Sequence, residues 1–265
     1  MRLLILIICL LGVFNHYAQT KLLKTIETNA TKIAVDNLDN YYLYNHSKID
    51  KYNSIGDKIA TYSNNQLGDI ENIDVSNPLK NLILHKNQNT LVILDNTLST
   101  EQNNTLNLTN ANLYNTSAYT YSGIDNGIWF YDKELFQLIK IDISMNRIYE
   151  SGNLLRLLNK DSLIVTKLLE RRNKLYLSTK HETLVFDNYG AYYSTIHHQN
   201  SKLIGIEDNI IYSKSGLTIK AYNTKTFEEQ IIDTKISDNA FVIYRKNKIY
   251  TIHKGEFSIY EVKKK

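Results

Sequence analysis

A chain of 265 residues with a hydrophobic fraction of 43%, 10 Gly and a single Pro carries enough apolar content for a core and lacks the Pro/Gly bias of linkers and low-complexity segments. Its 31 basic and 27 acidic residues are mixed along the chain to a formal net charge of +4, which excludes the strong basic footprint that nucleic acid requires. Tyr is abundant at 20 and favours strands, while the accompanying excess of Asn, Lys and Ile reads as the compositional bias of an AT-rich genome, so a lone Asn carries little meaning.

The first segment in chain order is not part of a fold. Met1-Arg2 gives a basic start, Leu3 to Phe14 is apolar and uncharged, and Asn15 to Gln19 forms a polar exit containing Ala18. That order is a secretory signal peptide over residues 1–18, with cleavage after Ala18. The apolar run of about twelve residues falls short of the roughly 20 that span a bilayer, so no transmembrane anchor is expected after cleavage. Cys9, the only cysteine, follows Ile8 rather than a small residue, which argues against lipidation. Residues 19–265 then hold no thiol for disulfides, Cys-ligated metals or a Cys nucleophile. The Ala-Gln junction resembles the signal peptides of Bacteroidota envelope proteins, and the expected location is the periplasm or the cell surface.

Two markers then repeat in phase. The first is an Asn ahead of a short aromatic or aliphatic strand: Asn40-Tyr41-Tyr42-Leu43, Asn81-Leu82-Ile83-Leu84, Asn126-Gly127-Ile128-Trp129, Asn173-Lys174-Leu175-Tyr176, Asn209-Ile210-Ile211-Tyr212 and Asn247-Lys248-Ile249-Tyr250. The copies recur every 36 to 47 residues, the period of a propeller blade. The second marker ends another alternating strand after a polar turn, at Tyr52-Asn53, Leu94-Asp95, Ile141-Asp142, Phe186-Asp187, Tyr222-Asn223 and Tyr260-Glu261. The Asn of the first marker belongs in a tight turn after an innermost strand, because Asn tolerates φ > 0. In the second repeat that turn lengthens over Ser76 to Lys80.

Innermost strands are expected at residues 33–37, 70–75, 118–123, 163–169, 202–206 and 241–244. Between 151 and 172 the pattern is ambiguous, since Leu154, Leu158, Val165, Leu168 and Leu169 also satisfy helical spacing. The consecutive β-branched Ile164, Val165 and Thr166 favour a strand beginning at Leu163. After Asn247 only two strands fit, so the segment from Thr20 to Thr28, with Leu22, Leu23 and Ile26, is expected to supply the outermost strand of the last blade and close the ring.

The fold expected over residues 19–265 is therefore all-β, a six-bladed β-propeller whose last blade is closed by the N-terminal strand. Its Asp/Gly-Asn turn followed by an Ile/Leu-Tyr strand resembles the TolB-like and NHL-like propellers. That resemblance implies architecture alone, because such propellers host enzymes, scaffolds and receptors.

Candidate chemistry is sparse. Lys48, Lys86, Lys133, Lys180, Lys214 and Lys254 occupy the turn after the second strand of every blade and form a potential anion ring, but Asp50, Asp132, Glu134, Glu182 and Glu256 beside them favour solvated turns. His46, His85, His181 and His253 fall at mid-radius of separate blades, too far apart to share one metal, and His197-His198 has no third partner nearby. The inner-strand acids Asp36, Asp74, Glu170 and Glu207 share no register. Trp129 takes the place of a repeat Tyr and is expected in the core. Tyr114, Tyr119 and Tyr121, in the longest interblade segment, are the candidates for an exposed aromatic contact with a partner, and the connections at residues 96–117 and 146–162 are expected to give the most relief, with Tyr114 the anchor. On the opposite face, turns at Asp39, Lys80, Asp125, Arg172, Asp208 and Lys246 alternate in sign.

The favoured function is a non-catalytic binding or scaffolding propeller of the cell envelope, monomeric, with a protein or glycan partner, no nucleic acid and no cofactor, catalytic residue or metal ligand assigned. The alternative is a metal-dependent, lactonase-like propeller hydrolase or lyase.

Overall fold

The computed structural model describes residues 18–263 except 199 and 235, so the signal peptide expected at 1–18 lies outside the described residues but for Ala18. Strand β1 (Ala18–Glu27) leads into the first blade of β2 (Lys32–Val35), β3 (Tyr41–Asn45), β4 (Lys48–Tyr52) and β5 (Lys58–Ser63). The second blade is β6 (Asn72–Asp74), β7 (Asn81–His85), β8 (Thr90–Leu94) and β9 (Thr100–Asn107), and the third is β10 (Thr116–Tyr121), β11 (Ile128–Asp132), β12 (Gln137–Ile141) and β13 (Arg147–Glu150). A single helical turn, α1 (Leu154–Leu158), precedes the fourth blade of β14 (Lys167–Arg171), β15 (Lys174–Ser178), β16 (Glu182–Asp187) and β17 (Tyr192–His197). The fifth comprises β18 (Lys202–Glu207), β19 (Ile210–Ser215), β20 (Thr218–Asn223) and β21 (Glu229–Asp233). In the sixth, β22 (Phe241–Arg245), β23 (Lys248–His253) and β24 (Glu256–Lys263) are completed by β1.

This is the expected all-β ring of six antiparallel four-stranded blades, closed by its N-terminal strand. β1 runs antiparallel to β24 from Gln19↔Lys263 to Glu27↔Glu256, and its first residues also pair in parallel with β21 at Ala18↔Ile232 and Gln19↔Asp233. Closure therefore joins the outer edges of the fifth and sixth blades into one continuous sheet, satisfying backbone groups that would otherwise be unpaired at both edges.

The period-two alternation of the strands sends neighbouring side chains into different seams between blades. In β3, Tyr42 and Tyr44 pack toward the second blade, while Tyr41 and Leu43 pack toward the sixth. In β11, Trp129 and Tyr131 face the fourth blade, and Ile128 and Phe130 face the second. Each of the six seams holds one apolar cluster, so the inner two strands are buried on both faces and read as continuous apolar runs.

Both markers have a physical cause. At the turn after the third strand, the side-chain oxygen of the marker residue accepts from backbone N–H groups two to four residues on. Asn53 caps Gly56 and Asp57, Asp95 caps Thr97 and Ser99, Asp142 caps Asn146, Asp187 caps Tyr189 and Ala191, and Asn223 caps Lys225 and Thr226. Glu261 needs no such turn, because the strand beside it comes from the other end of the chain.

For the first marker the expectation holds in part. Asn126, Asn173 and Asn247 take φ of 58°, 58° and 59°, but in the first and fifth blades Asp39 and Asp208 take the positive φ instead of Asn40 and Asn209. Asn81 acts through its side chain instead. Its buried amide donates to the Asp95 carbonyl at 2.8 Å and ties the inner turn of the second blade to its outer one.

The strand expected from Leu163 begins only at Lys167. Asn153 caps α1 by accepting from Arg156 N–H, and Asn159 ends it at φ 51°, after which the chain runs irregularly to Thr166. Leu163 and Val165 still reach the seam between the third and fourth blades, while Ile164 is 76% exposed. Of the β-branched run only Thr166 bonds to the neighbouring strand, its N–H donating to the Ser178 carbonyl at 2.8 Å, and the regular ladder starts at Lys167.

Candidate functional site

The six inner strands β2, β6, β10, β14, β18 and β22 each end their sheet, so an edge of backbone N–H and C=O groups from every blade faces the axis without a strand partner. Together they enclose an axial cavity of about 310 Å³. These strands all run the same way, and their first residues lie at the face that carries the connections between blades, here termed the mouth.

At the mouth, β2, β14 and β18 begin with Lys32, Lys167 and Lys202, and the remaining blades contribute Asn72, Thr116, Ser117 and Phe241. Asn72, Ser117, Thr166 and Lys202 are exposed there, while Lys32 and Lys167 are half-buried. The Lys32 ammonium donates to the Glu71 carbonyl and lies 5.9 Å from the Tyr44 ring centroid, and Lys202 sits 4.7 Å from that of Phe241. Burial, with Arg171 and Lys202 next in effect, pushes the Lys167 ammonium down to about 8. Deeper in, about four strand residues or roughly 13 Å along β14, Arg171 donates to the Glu170 carbonyl at 3.1 Å and has its Nε buried without a hydrogen-bond partner.

The acids near the axis serve the joints between blades. Asp74 of the second blade accepts from Thr120 Oγ1 and Tyr121 N–H of the third, each at 2.8 Å. Glu170 of the fourth accepts from Gly123 N–H at 2.8 Å and Trp129 Nε1 at 3.1 Å, both in the third. Glu207 of the fifth pairs with Arg245 of the sixth at 3.3 Å. Asp36 turns back on its own blade, accepting from Leu38 and Asn40 N–H and from the Tyr42 hydroxyl. Their registers differ because each reaches a different partner. On the far face the alternation in sign resolves into further latches: Arg172 pairs with Asp208, and Lys246 with Asp39 at 3.2 Å.

The lysines of the second-to-third strand turns do not gather at the axis. Lys48 pairs with Asp50 at 3.1 Å, Lys86 with Glu71 at 3.5 Å, and the buried Lys214 with Asp238 at 3.6 Å. The axial cations come instead from the start of the inner strands, which the sequence pattern did not single out. Their signal is a basic residue directly ahead of an apolar pair, in Lys32-Ile33-Ala34, Lys167-Leu168-Leu169 and Lys202-Leu203-Ile204.

The histidines are spread among the blades. His46 faces Asp69 at 3.5 Å on the surface. His85 is buried, its Nδ1 donating to the Gly68 carbonyl at 2.9 Å and its Nε2 accepting from Tyr62 OH at 3.2 Å, and burial holds it below the usual imidazole range. His198 bridges Thr183 and Ser201. Among the described residues no three His, Cys, Asp or Glu side chains come together as a metal-binding group.

Trp129 is fully buried, as expected. Tyr114 is 59% exposed on the connection between the second and third blades, at the mouth face. Tyr119 and Tyr121 are not exposed contacts: at 4% and 7% exposure they lie within β10, packed in the seam between the second and third blades. Their alternation with Ala118 and Thr120 is that of an inner strand, and Tyr119 OH donates to the Asn72 carbonyl at 2.6 Å.

Neither a protein-family model nor a curated protein matches the chain. Similar solved structures include a streptogramin B lyase, with 11% identity, a TM-score of 0.61 and coverage of 93% of this chain and 98% of that one. Virginiamycin B lyase from Staphylococcus aureus gives 12%, 0.60, 91% and 99%, and the WD40 domain of Neurospora crassa Pan2 gives 8%, 0.54, 94% and 97%. Identities this low speak to architecture only, and they agree with the strand topology in making the chain a six-bladed β-propeller.

Proposed function

We propose that this chain is a non-catalytic binding or scaffolding propeller of the bacterial cell envelope, exported by the segment at residues 1–18 and engaging its partner through the mouth face. The observation that carries this reading is the commitment of the axial carboxylates: Asp74, Glu170 and Glu207 are held by groups of neighbouring blades and Glu71 pairs with Lys86, so the mouth offers mainly cations, hydroxyls and an amide. Such a set recognises a ligand without supplying the free acids that hold a divalent cation or act as general bases. The blade pattern supports a TolB-like or NHL-like affiliation.

The connections at residues 108–115 and 151–166 lead into the inner strands β10 and β14 at the mouth face and carry the exposed Tyr114 and Ile164, which suits contact with an envelope protein or glycan. The test is a pull-down from the native envelope with the wild-type protein and with Tyr114→Ser. Recovery of a partner by the wild type and its loss in the variant, with melting unchanged, supports the reading. Stoichiometric Ca, Mg or Zn in the purified protein, with a rise in melting temperature when the metal is added, would favour the hydrolase or lyase instead.

A further inference from the structure

We propose that the axial cavity is a binding site for a small multivalent oxyanion, a compound bearing two or more phosphate or carboxylate groups, held at the mouth by Lys32, Lys167 and Lys202 and from within by Arg171. The inference rests on the mouth face being a binding surface and names the chemistry of one ligand there.

Five cations line one cavity; Arg245 pairs with Glu207, and among the described residues none of the other four, Lys32, Lys167, Lys202 and Arg171, has a carboxylate within ion-pair distance. Half-buried charges are ordinarily paired, because the desolvation they suffer is otherwise uncompensated. Here the substitutes are weak: a carbonyl for Lys32, an aromatic face for Lys202, and a carbonyl on one nitrogen for Arg171. The Lys167 ammonium has no hydrogen-bond or ion-pair partner among the described residues, while burial, then Arg171 and Lys202, lower its proton affinity.

The nearest acids relieve this charge only in part, Asp74 acting on Lys167 and on Arg171 without pairing with either. Asp74, Glu170 and Glu207 are engaged as described, and Glu71, an exposed residue of the cavity lining, pairs with Lys86 at 3.5 Å. A cleft walled by low-dielectric blades focuses the field that remains. Exposed Asn72, Ser117 and Thr166 add uncharged hydrogen-bonding groups around the lysines, and the free strand edges add backbone N–H donors. The volume is at the small end of ligand sites, which excludes a polymer chain inside the cavity. A monovalent ion would leave most of the cations unpaired, which selects a compact anion of higher charge.

The experiment is isothermal titration calorimetry of the purified protein with pyrophosphate and with citrate, at roughly 50 mM salt where screening is weak. One ligand bound per chain is expected, with affinity falling at least about tenfold in Lys167→Met and in Lys202→Met. Lys167→Arg restores binding, and Lys48→Met, in a turn away from the axis, leaves it unchanged. Preference for pyrophosphate or for citrate assigns the ligand to phosphates or to carboxylates. Absence of binding by both at millimolar concentration overturns the proposal, as does binding that survives both methionine variants. Should Lys167→Met lose its native circular dichroism, the exposed Lys202 carries the test alone. Anion binding that fails while Tyr114 still governs partner recovery overturns this inference only. Partner recovery that fails while the anion binds overturns the partner reading only.

Discussion

The indole Nε1 of Trp129 donates to the Glu170 carboxylate at 3.1 Å across the seam between the third and fourth blades, and the same carboxylate accepts Gly123 N–H at 2.8 Å. One acid thereby serves two buried donors of the neighbouring blade. Glu170→Ala should lower stability by about 2–3 kcal/mol, since it leaves the indole and an amide unsatisfied. Urea denaturation followed by tryptophan fluorescence measures this directly, as Trp129 is the only Trp. Glu71→Ala, at an exposed position, should shift the midpoint within about 0.5 kcal/mol.

Gly205 allows a close backbone approach between the fifth and sixth blades. A Cβ there would lie 2.3 Å from the Tyr244 carbonyl oxygen, which is backbone and cannot swing aside. Next to it, the rings of Tyr212 and Tyr244 stack with centroids 3.4 Å apart. Gly205→Ala should therefore cost about 3 kcal/mol or more by prying the seam apart. An unchanged melting temperature would show that these blades are not in such close contact.

Removal of residues 18–27 should leave β24 and part of β21 with open edges and uncover Phe257 and Ile259 in the seam between the sixth and first blades. The expected result is a lower melting temperature together with concentration-dependent aggregation seen by light scattering. A truncated chain that stays monomeric and melts like the intact one would contradict closure by β1.

Acid should destabilise the ring through its buried imidazoles. His85 and His198 are both held below the ordinary imidazole range, first by burial. The unfolded chain then binds more protons than the folded one once the pH falls through about 6.5, so stability declines from pH 7 toward pH 5. Melting curves at the two pH values give the slope, and His85→Gln should flatten it. A slope unaltered in that variant would assign the acid sensitivity to other groups.

Blade number, ring closure and the placement of Trp129 were legible in the sequence because each rests on a repeated local cause. The Asx cap at Asp95 or Asp187 needs only nearby backbone, and the run Leu82-Ile83-Leu84 needs only two buried faces. The axial lysines were hidden because their meaning depends on which strand is innermost and where it starts, and the stretch before Lys167 was ambiguous between helix and strand. Tyr119 and Tyr121 were misplaced for a related reason: the long connection ahead of them ends at Asn115, so both fall inside a strand that two blades cover. The acids Asp74, Glu170 and Glu207 have no common register because their partners lie some 38 to 47 residues away, a separation no local pattern records.

Thr25 and Ser258 exchange a hydroxyl hydrogen bond at 2.9 Å although 233 positions separate them. On the ribosome, β1 emerges ahead of every blade and must wait for the last strand before it finds its antiparallel partner. Throughout elongation the nascent chain carries an unsatisfied strand bearing Leu22, Leu23 and Ile26, and no shorter product has a closed ring. A contact of such long range is slow to form, though the entropy of closing the loop grows only with the logarithm of its length. The interval before closure, more than the finished ring, is when this protein is open to misassociation, and a factor that shields β1 until synthesis ends would act at that point.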